Sequence, residues 1–152
     1  MTTLKKSNKI LSKRILERLS DARFYSIKQL PLFFDELRRI DSIYQSMSDD
    51  RLSQELNETT LLGFYFESKI FISTKLSDDN FLLTLIHEVE HHHHRSDDYD
   101  ETVSEILAYH MENLWKHPYL RVTRNYFSRL ISYTVREPIQ MSIDRVPLNR
   151  LI

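Results

Sequence analysis

Residues 77–94 read SDDNFLLTLIHEVEHHHH, a stretch that combines a helix start signal, apolar residues at helical spacing and a run of histidines. Ser77, followed by Asp78 and Asp79, is typical of a helix N-terminus, because a serine side chain caps free N–H groups and acidic residues favour that end of the helix dipole. The stretch therefore predicts a central amphipathic helix that turns its histidines away from its apolar side chains. Five apolar residues recur at helical spacing: Phe81, Leu82, Leu85, Ile86 and Val89.

Within that helix, residues 87–91 have the pattern H-E-x-x-H. His87 and His91 are four residues apart, so they lie on one helix face, about 6 Å apart along its axis. Two imidazoles so placed can bind one Zn²⁺ at about 2.0–2.1 Å. Glu88 can then reach a metal-bound water and serve as general base. The pattern predicts a hydrolytic site with one zinc ion per chain.

A catalytic zinc site needs a third protein ligand, which the residues after the histidines must supply. Residues 100–105 read DETVSE and begin another predicted helix, on which Glu101 and Glu105 share one face. In an antiparallel helix pair, Glu101 would return to the metal as the third ligand. Glu105, one turn later, would accept a proton from the far nitrogen of a ligand histidine. The alternative, in which Glu105 is the ligand, stays open.

Other polar residues near the motif are candidates for supporting roles. A group that stabilises the oxyanion is needed as water attacks a carbonyl, and we predict His110, which follows Glu101 by nine residues. His92 and His93 point elsewhere and are expected to be exposed. The histidine run, in which His91 and His94 are three residues apart, could also form a weak second metal site or bind Ni²⁺ or Zn²⁺ adventitiously. The other candidates for the oxyanion are Tyr99, Tyr109 and Tyr119.

These motifs resemble the gluzincin class of zinc peptidases, whose thermolysin-like members follow H-E-x-x-H with a later helix carrying E-x-x-x-D. Residues 101–105 fit that second pattern with Glu in place of Asp. A predicted hairpin before the histidine helix is also similar to the ImmA/IrrE family and to minimal gluzincins. The resemblance implies a zincin-like fold, in which residues 64–66 or 70–73 would form the strand that pairs with an extended substrate by β-augmentation.

The sequence predicts an α+β, mostly helical fold, with a small antiparallel hairpin beside the H-E-x-x-H helix. We expect one domain over residues 1–152: N-terminal helices in 1–58, the hairpin and metal-binding helices in 59–117, and a C-terminal helix and tail in 118–152. The helical segments are predicted from apolar spacing and the strands from β-branched and aromatic runs. The predicted helices cover 3–19, 31–47, the residues from Ser48 to about Leu56, 100–115 and 119–135. The predicted strands are 61–66 and 70–73.

Three further segments are predicted to lie outside regular helices and strands. Asp21 to Ser26 reads as a connector, residues 96–98 as a break, and the tail after Pro138 as irregular. On the helix over 100–115, an apolar stripe is expected to be buried. Its members are Val103, Ile106, Leu107, Met111, Leu114 and Trp115.

The composition favours a small globular protein and excludes several other classes. A chain of 152 residues, 41% of them hydrophobic, is long enough for one domain with a real core. A net charge of −1 does not indicate a nucleic-acid binder, so no nucleic-acid partner is expected. Because the chain has no cysteine, disulfides and thiolate ligands are excluded, and a metal must be held by histidine and carboxylate.

The sequence also bears on location and partners. No stretch approaches the roughly 18 apolar residues that indicate a membrane span, and the N-terminus lacks the apolar core of a signal peptide. We therefore expect a cytoplasmic protein, with export that needs no classical signal peptide as the alternative. Residues 1–20 carry +5 and residues 120–152 carry +4, so these basic ends could dock on the acidic centre or offer a surface to a partner.

The main functional prediction is a zinc metallopeptidase that acts on a protein or peptide substrate, with Glu88 as general base. One alternative is a regulatory binding module with a zincin-like fold and a metal site without hydrolysis. Another is a secreted effector or toxin peptidase that acts on a host protein. The simplest alternative treats the histidines as a solvated polar helix surface, because H-E-x-x-H also occurs by chance.

Overall fold

The computed structural model describes Glu17 and residues 22–95 and 100–145. Within these residues the chain is α+β and mostly helical, as predicted. A small sheet separates two apolar clusters, each of which joins one face of the sheet to a group of helices. The sheet and its helices position the candidate site.

The sheet has three strands in the order β1–β3–β2. Strand β1 is Arg23–Ser26, β2 is Gly63–Phe66 and β3 is Lys69–Ile72. β3 is central, pairing antiparallel with β2 and parallel with β1. The intervening turn, Glu67-Ser68, has positive φ at both residues (46° and 63°), which matches the right-handed twist of a two-residue hairpin. The predicted hairpin is confirmed.

Strand β1 lies in the segment that was expected to be a connector, so that prediction is wrong. Its register pairs Arg23 with Lys69 and Ser26 with Ile72. The pairing partner is 46 positions later in the sequence, and parallel pairing depends on the intervening fold. Because β1 has only four residues and its partner strand is distant in sequence, no local pattern predicts it.

The helical region after β1 is more broken than the single helix predicted over 31–47. A 3₁₀ helix covers Ile27–Phe33, and α1 covers Phe34–Ile40. The helix ends there because the Asp41 side chain accepts a hydrogen bond from the N–H of Ile43 (3.0 Å), which forms a local turn that competes with the helix.

The next short helix agrees with its prediction. Helix α2 is Asp49–Glu55. The Ser48 side chain caps it by accepting a hydrogen bond from the N–H of Arg51 (3.2 Å).

Helix α3, Asp78–His93, is the central helix, and it begins where the sequence predicts. Ser77 caps it by accepting a hydrogen bond from the N–H of Asn80 (3.3 Å). Its apolar face packs against Ile70 and Ile72 of β3 and against side chains of the C-terminal helices. Because burial of such a side chain contributes about 1.5–3 kcal/mol, this face fixes α3 firmly on the sheet. The buried members of α3 are Phe81, Leu82, Leu85 and Val89.

Phe71 points to the opposite face of the sheet, as the two-residue period of a strand requires. There it joins the second cluster, under the 3₁₀ helix, α1 and α2. The fully buried Phe71 is flanked by the rings of Tyr25, Phe33 and Phe66, with centroids 5.2–5.5 Å away.

Helix α4, Glu101–Trp115, packs against α3, but not through the apolar stripe that was expected to be buried. Val103, Ile106 and Leu114 are 38%, 61% and 46% exposed, and the buried residue of α4 is Ala108. The prediction of a buried stripe is therefore wrong for these three residues, whereas Leu107, Met111 and Trp115 are half-buried and Trp115 packs against the apolar cluster that includes α3. The polar side of α4 faces α3, because the facing side of α3 carries histidines.

The C-terminal region is helical for longer than predicted. Helix α5, Arg121–Ile131, continues through a π-helical turn, Ser132–Arg136, into α6, Glu137–Arg145. The prediction of an irregular tail is wrong up to residue 145. A proline lacks the N–H that an α-helix needs, and here the N–H of Glu137 shifts to the carbonyl of Ser132, so the helix passes Pro138 through a π turn.

Some predicted segments lie outside the described residues. These are the helix over 3–19 apart from Glu17, the break at 96–98, and the tail after residue 145. In the part of the chain that the structure describes, no helix combines the length and apolar character needed to cross a bilayer.

Candidate functional site

The candidate site lies where α3 faces α4. His87 and His91 are one helical turn apart, with ring centroids 5.2 Å apart. Glu105 of α4 reaches both of them: its Oε1 is 3.1 Å from His87 Nε2 and 2.6 Å from His91 Nε2. One ligand atom from each of the three residues lies within 4.8 Å of the others. These two imidazoles and one carboxylate are a set that could hold a metal ion.

The Nδ1 atom of each imidazole contacts a side-chain oxygen of α4, which orients the ring. His87 Nδ1 lies 3.2 Å from Oε1 of Glu112, and His91 Nδ1 lies 2.7 Å from Oγ of Ser104. With a metal bound, each Nδ1 would carry the proton and donate it to these oxygens, which leaves the lone pair of Nε2 for the metal. In the metal-free chain a protonated Nε2 can instead donate to Glu105.

Ser104 and Glu112 were not among the site residues predicted from the sequence. A signal for Glu112 exists, since it follows Glu105 by seven residues, which is close to two full turns of one helix face.

The orientation of α4 is explained by this polar contact. The helix directs Ser104, Glu105 and Glu112 toward α3, while several of its apolar side chains are exposed. Apolar burial alone would favour the opposite rotation of the helix. The polar contacts between the histidines and the carboxylates stabilise the observed arrangement, in which the polar groups of both helices share one partly buried site.

Glu88 lies beside the histidines and is buried, with 6% of its surface exposed. Burial, the largest cause, and the negative charges of Glu105 and Glu112 together raise the pKa of the Glu88 carboxyl to about 8. A carboxyl with a pKa near neutral pH can both accept and donate a proton, as a general base and acid must.

Two other groups in the cluster have shifted pKa values. Burial lowers the pKa of His91, and the nearby His87 acts in the same direction, although Glu105 opposes both. For Glu105, burial acts to raise the pKa, but the hydrogen bonds from His87 and His91 outweigh it and lower the pKa. A neutral imidazole and an ionised carboxylate are the forms in which these side chains bind a metal.

Glu105 takes the place expected of Glu101, while Glu112 and Ser104 lie at the far nitrogens of the two histidines, where Glu105 was expected. The structure places Glu105, and not Glu101, against both imidazoles, whereas Glu101 lines the neighbouring cavity. The two residues share a helix face, so their spacing could not distinguish them. The offset of α4 along α3 decides which of the two meets the histidines, because it brings the second turn of α4, with Glu105, level with them.

His110 does not belong to this site. It is exposed and lines neither of the cavities that adjoin the histidines. The prediction that placed it near the ligands was wrong, because nine residues are two and a half helical turns and lead to the opposite face from Glu101. Tyr109 lies nearer: its ring packs edge-on against His87, with a centroid distance of 4.7 Å. Of the other tyrosine candidates, Tyr119 is exposed and Tyr99 lies outside the described residues.

The remaining histidines of the run differ from one another. His92 is 1% exposed, and its Nδ1 lies 3.1 Å from the hydroxyl of Tyr65 in β2, so the expectation of an exposed side chain is wrong for this residue. His93 is exposed, as predicted. His94 Nε2 lies 3.3 Å from Oε2 of Glu90. The second metal site in the histidine run stays a prediction.

Two cavities meet at the cluster. One, of about 410 Å³, lies on the His91 side, and the other, of about 450 Å³, lies on the His87 side. Both are lined by Gly63, Glu88 and Glu105. Together they form a groove that passes the metal-ligand candidates, with β2 along one wall and α4 along the other.

Strand β2 is the edge strand on this side of the sheet. The N–H of Ser73 donates to the carbonyl of Leu62 (2.9 Å), which fixes the alternation of hydrogen-bonded pairs along the hairpin. Gly63 and Tyr65 are therefore at positions whose N–H and C=O groups point away from β3, toward the groove. Of the two strands proposed to pair with a substrate, only β2 has a free edge within the described sheet.

The residues present fit a zinc ion. Within the described residues the cluster has three ligand groups and no fourth, as in a catalytic site that leaves a position for water. In a tetrahedral zinc site, bonds of about 2.0–2.1 Å place neighbouring ligand atoms about 3.4 Å apart. The two carboxylate–imidazole separations, 2.6 and 3.1 Å, are within about 1 Å of that distance.

Comparison with protein-family models, with curated proteins and with solved structures finds no match to this chain. The resemblance to gluzincins therefore stays a prediction from short motifs. What bears on function is the geometry of His87, Glu88, His91 and Glu105 in the groove beside β2.

Proposed function

We propose that this chain is a zinc-dependent metallopeptidase with a zincin-like arrangement of its site. The observation that carries the proposal is the convergence of His87, His91 and Glu105 on one point beside the buried carboxyl of Glu88. His87 Nε2, His91 Nε2 and Glu105 Oε1 would hold the ion. When bound, zinc would supply a Lewis acid that lowers the pKa of water toward about 7 and polarises a carbonyl.

Glu88 performs the proton transfers in this proposal. Its carboxylate takes a proton from the attacking water and passes it to the amine that leaves when the peptide bond breaks. The pKa of about 8 belongs to the metal-free chain. The positive charge of a bound zinc ion would lower it and favour the ionised carboxylate that a general base needs. Glu112 and Ser104 keep the two imidazoles in the orientation that directs both Nε2 atoms to one point.

The groove supports a peptide as the substrate. An extended chain can pair with the outward N–H and C=O groups of Gly63 and Tyr65, which places its backbone along the wall opposite α4. Side chains on either side of the scissile bond would enter the two cavities. Tyr109, which borders the His87-side cavity, is the nearest described candidate to hydrogen-bond the developing oxyanion.

Metal analysis combined with peptide hydrolysis tests the proposal. Protein purified without a nickel column, because of the histidine run, should contain one zinc per chain and cleave an unstructured protein such as casein. Glu88→Gln should keep its zinc and lose activity by at least a hundredfold, whereas His87→Ala should lose both. His93→Ala, which alters an exposed histidine outside the cluster, is the matched control and should retain both. Zinc-loaded wild-type protein that cleaves no peptide in a broad library would sink the proposal.

The exposed apolar side chains of α4 favour a second candidate, a regulatory module that holds a metal without hydrolysis. Val103, Ile106 and Leu114 form an apolar surface on the outer side of the helix that carries Glu105. Apolar surface of this kind is typical of a contact with another protein. In that case the regulatory contact with the partner protein would survive Glu88→Gln and be lost with Ile106→Glu. A peptidase would instead lose its activity with Glu88→Gln.

A further inference from the structure

Gly63 is the only glycine in the 152 residues. Glycine is usually depleted from strands, yet this one opens the edge strand β2. Its φ is not in the left-handed region, so the backbone conformation does not require glycine. The reason for a missing side chain must therefore be the space around it.

That space is occupied by α3. A Cβ at Gly63 would lie 2.8 Å from Cγ2 of Thr84, 2.9 Å from Oε1 of Glu88 and 3.0 Å from Cγ of Glu88. Thr84 and Glu88 are one turn apart on the helix face that meets β2. These distances are shorter than normal carbon–oxygen and carbon–carbon contacts, so any side chain at position 63 collides with the general-base candidate itself.

We propose that Gly63 is a positioning residue: the absence of a side chain at this point allows the Glu88 carboxyl to lie against the edge strand, where the two cavities meet. The inference rests on the proposed function. Both Gly63 and Glu88 line both cavities, so this contact lies where the scissile bond would have to be. A Cβ would move the carboxyl, because Oε1 is the far end of a rotatable side chain whereas the strand backbone is held by its pairing with β3.

The test is Gly63→Ala. A misplacement of about 1 Å in a catalytic group can reduce turnover by about a hundredfold. We expect kcat to fall at least tenfold, with KM changed less than threefold and zinc content unchanged. Equal kcat in the zinc-loaded, folded variant and in the wild type would overturn the positioning role.

Because the added Cβ also meets Thr84, the same change is made in the Thr84→Ser background, which lacks Cγ2. If Glu88 is the residue displaced, Gly63→Ala still lowers kcat at least tenfold relative to Thr84→Ser alone. Recovery of kcat in the double variant would assign the effect to packing against Thr84 and contradict the inference.

A crystal structure of metal-free Gly63→Ala separates this inference from the proposed function. The Glu88 carboxyl should be displaced from its wild-type position, whether or not the chain hydrolyses peptides. An undisplaced carboxyl overturns the positioning role alone, whereas an inactive wild type with zinc bound overturns the peptidase proposal alone.

Discussion

Glu88 is the residue at which the fold and the proposed chemistry meet most directly. Its carboxyl is buried next to two other carboxylates, an arrangement that disfavours its ionised form in the metal-free chain. A solvated glutamate has a pKa near 4.5, and the folded environment raises that of Glu88 to about 8. Folding is therefore coupled to the protonation of this one side chain.

This coupling predicts how the stability of the metal-free protein depends on pH. Between about pH 4.5 and pH 8 the folded chain keeps a proton on Glu88 that the unfolded chain has lost. Glu88 thus favours the folded state at low pH, and this contribution disappears as the pH rises through the folded pKa. Relative to Glu88→Gln, we expect the wild type to lose up to about 4 kcal/mol of unfolding free energy across this window.

Urea denaturation of EDTA-treated protein at pH 5, 7 and 9 measures the effect. Comparison with Glu88→Gln cancels the contributions of the histidines and other titrating groups. Parallel pH profiles for the two proteins would show that Glu88 is not protonated in the folded chain.

Helix α4 shows how an element can be oriented by a site and not by its apolar pattern. Its sequence has an apolar stripe that a sequence-based prediction buries. In the structure, much of that stripe is exposed, and Ala108 supplies the close contact with the rest of the protein. Hydrogen bonds that Glu105 accepts from the histidines of α3, and the contact of Glu112 with His87, stabilise this rotation of the helix.

Substitutions on the two sides of α4 should therefore differ in their effect on the free energy of unfolding, and not in the order that the apolar pattern of the sequence predicts. Ile106→Gln should change the free energy of unfolding by less than about 0.5 kcal/mol, because Ile106 is exposed. Ala108→Leu should destabilise by about 1–3 kcal/mol, because it overpacks the contact with α3. Urea denaturation of both variants is the measurement, and a larger loss for Ile106→Gln would mean that the apolar stripe is buried after all.

At the scale of the whole molecule, a metal bound between α3 and α4 would join two helices that meet across a polar contact. Since the ligands converge only in the folded state, zinc should stabilise folding by mass action. At a free concentration a thousandfold above Kd, the gain is about 4 kcal/mol. For a chain of this size it corresponds to a rise in Tm of roughly 10 °C.

Thermal unfolding in EDTA and in buffered zinc tests this expectation and also separates the two carboxylates. The rise in Tm on adding zinc should be small in Glu105→Gln, which alters the proposed ligand, and close to that of the wild type in Glu101→Gln, which alters a residue that lines the neighbouring cavity. A full rise in Glu105→Gln together with a lost rise in Glu101→Gln would restore Glu101 as the third ligand.

The features that the sequence by itself determined are local ones. His87 and His91 share a face because any α-helix places residues four apart together, and Ser48 and Ser77 begin helices because a cap acts within three residues. The hairpin follows from two short runs of β-branched and aromatic residues separated by a short polar connection. Each of these depends on neighbours along the chain, so the pattern is visible without the fold.

The tertiary structure alone decided which groups meet those histidines. Glu101 and Glu105 are equivalent in spacing, and only the offset between α3 and α4 selects Glu105. The same packing leads His110 away from the site, brings Glu112 to His87 and buries His92 against Tyr65. Such contacts join residues distant in sequence, and their geometry is set by how helices and sheet pack together, which no local pattern encodes.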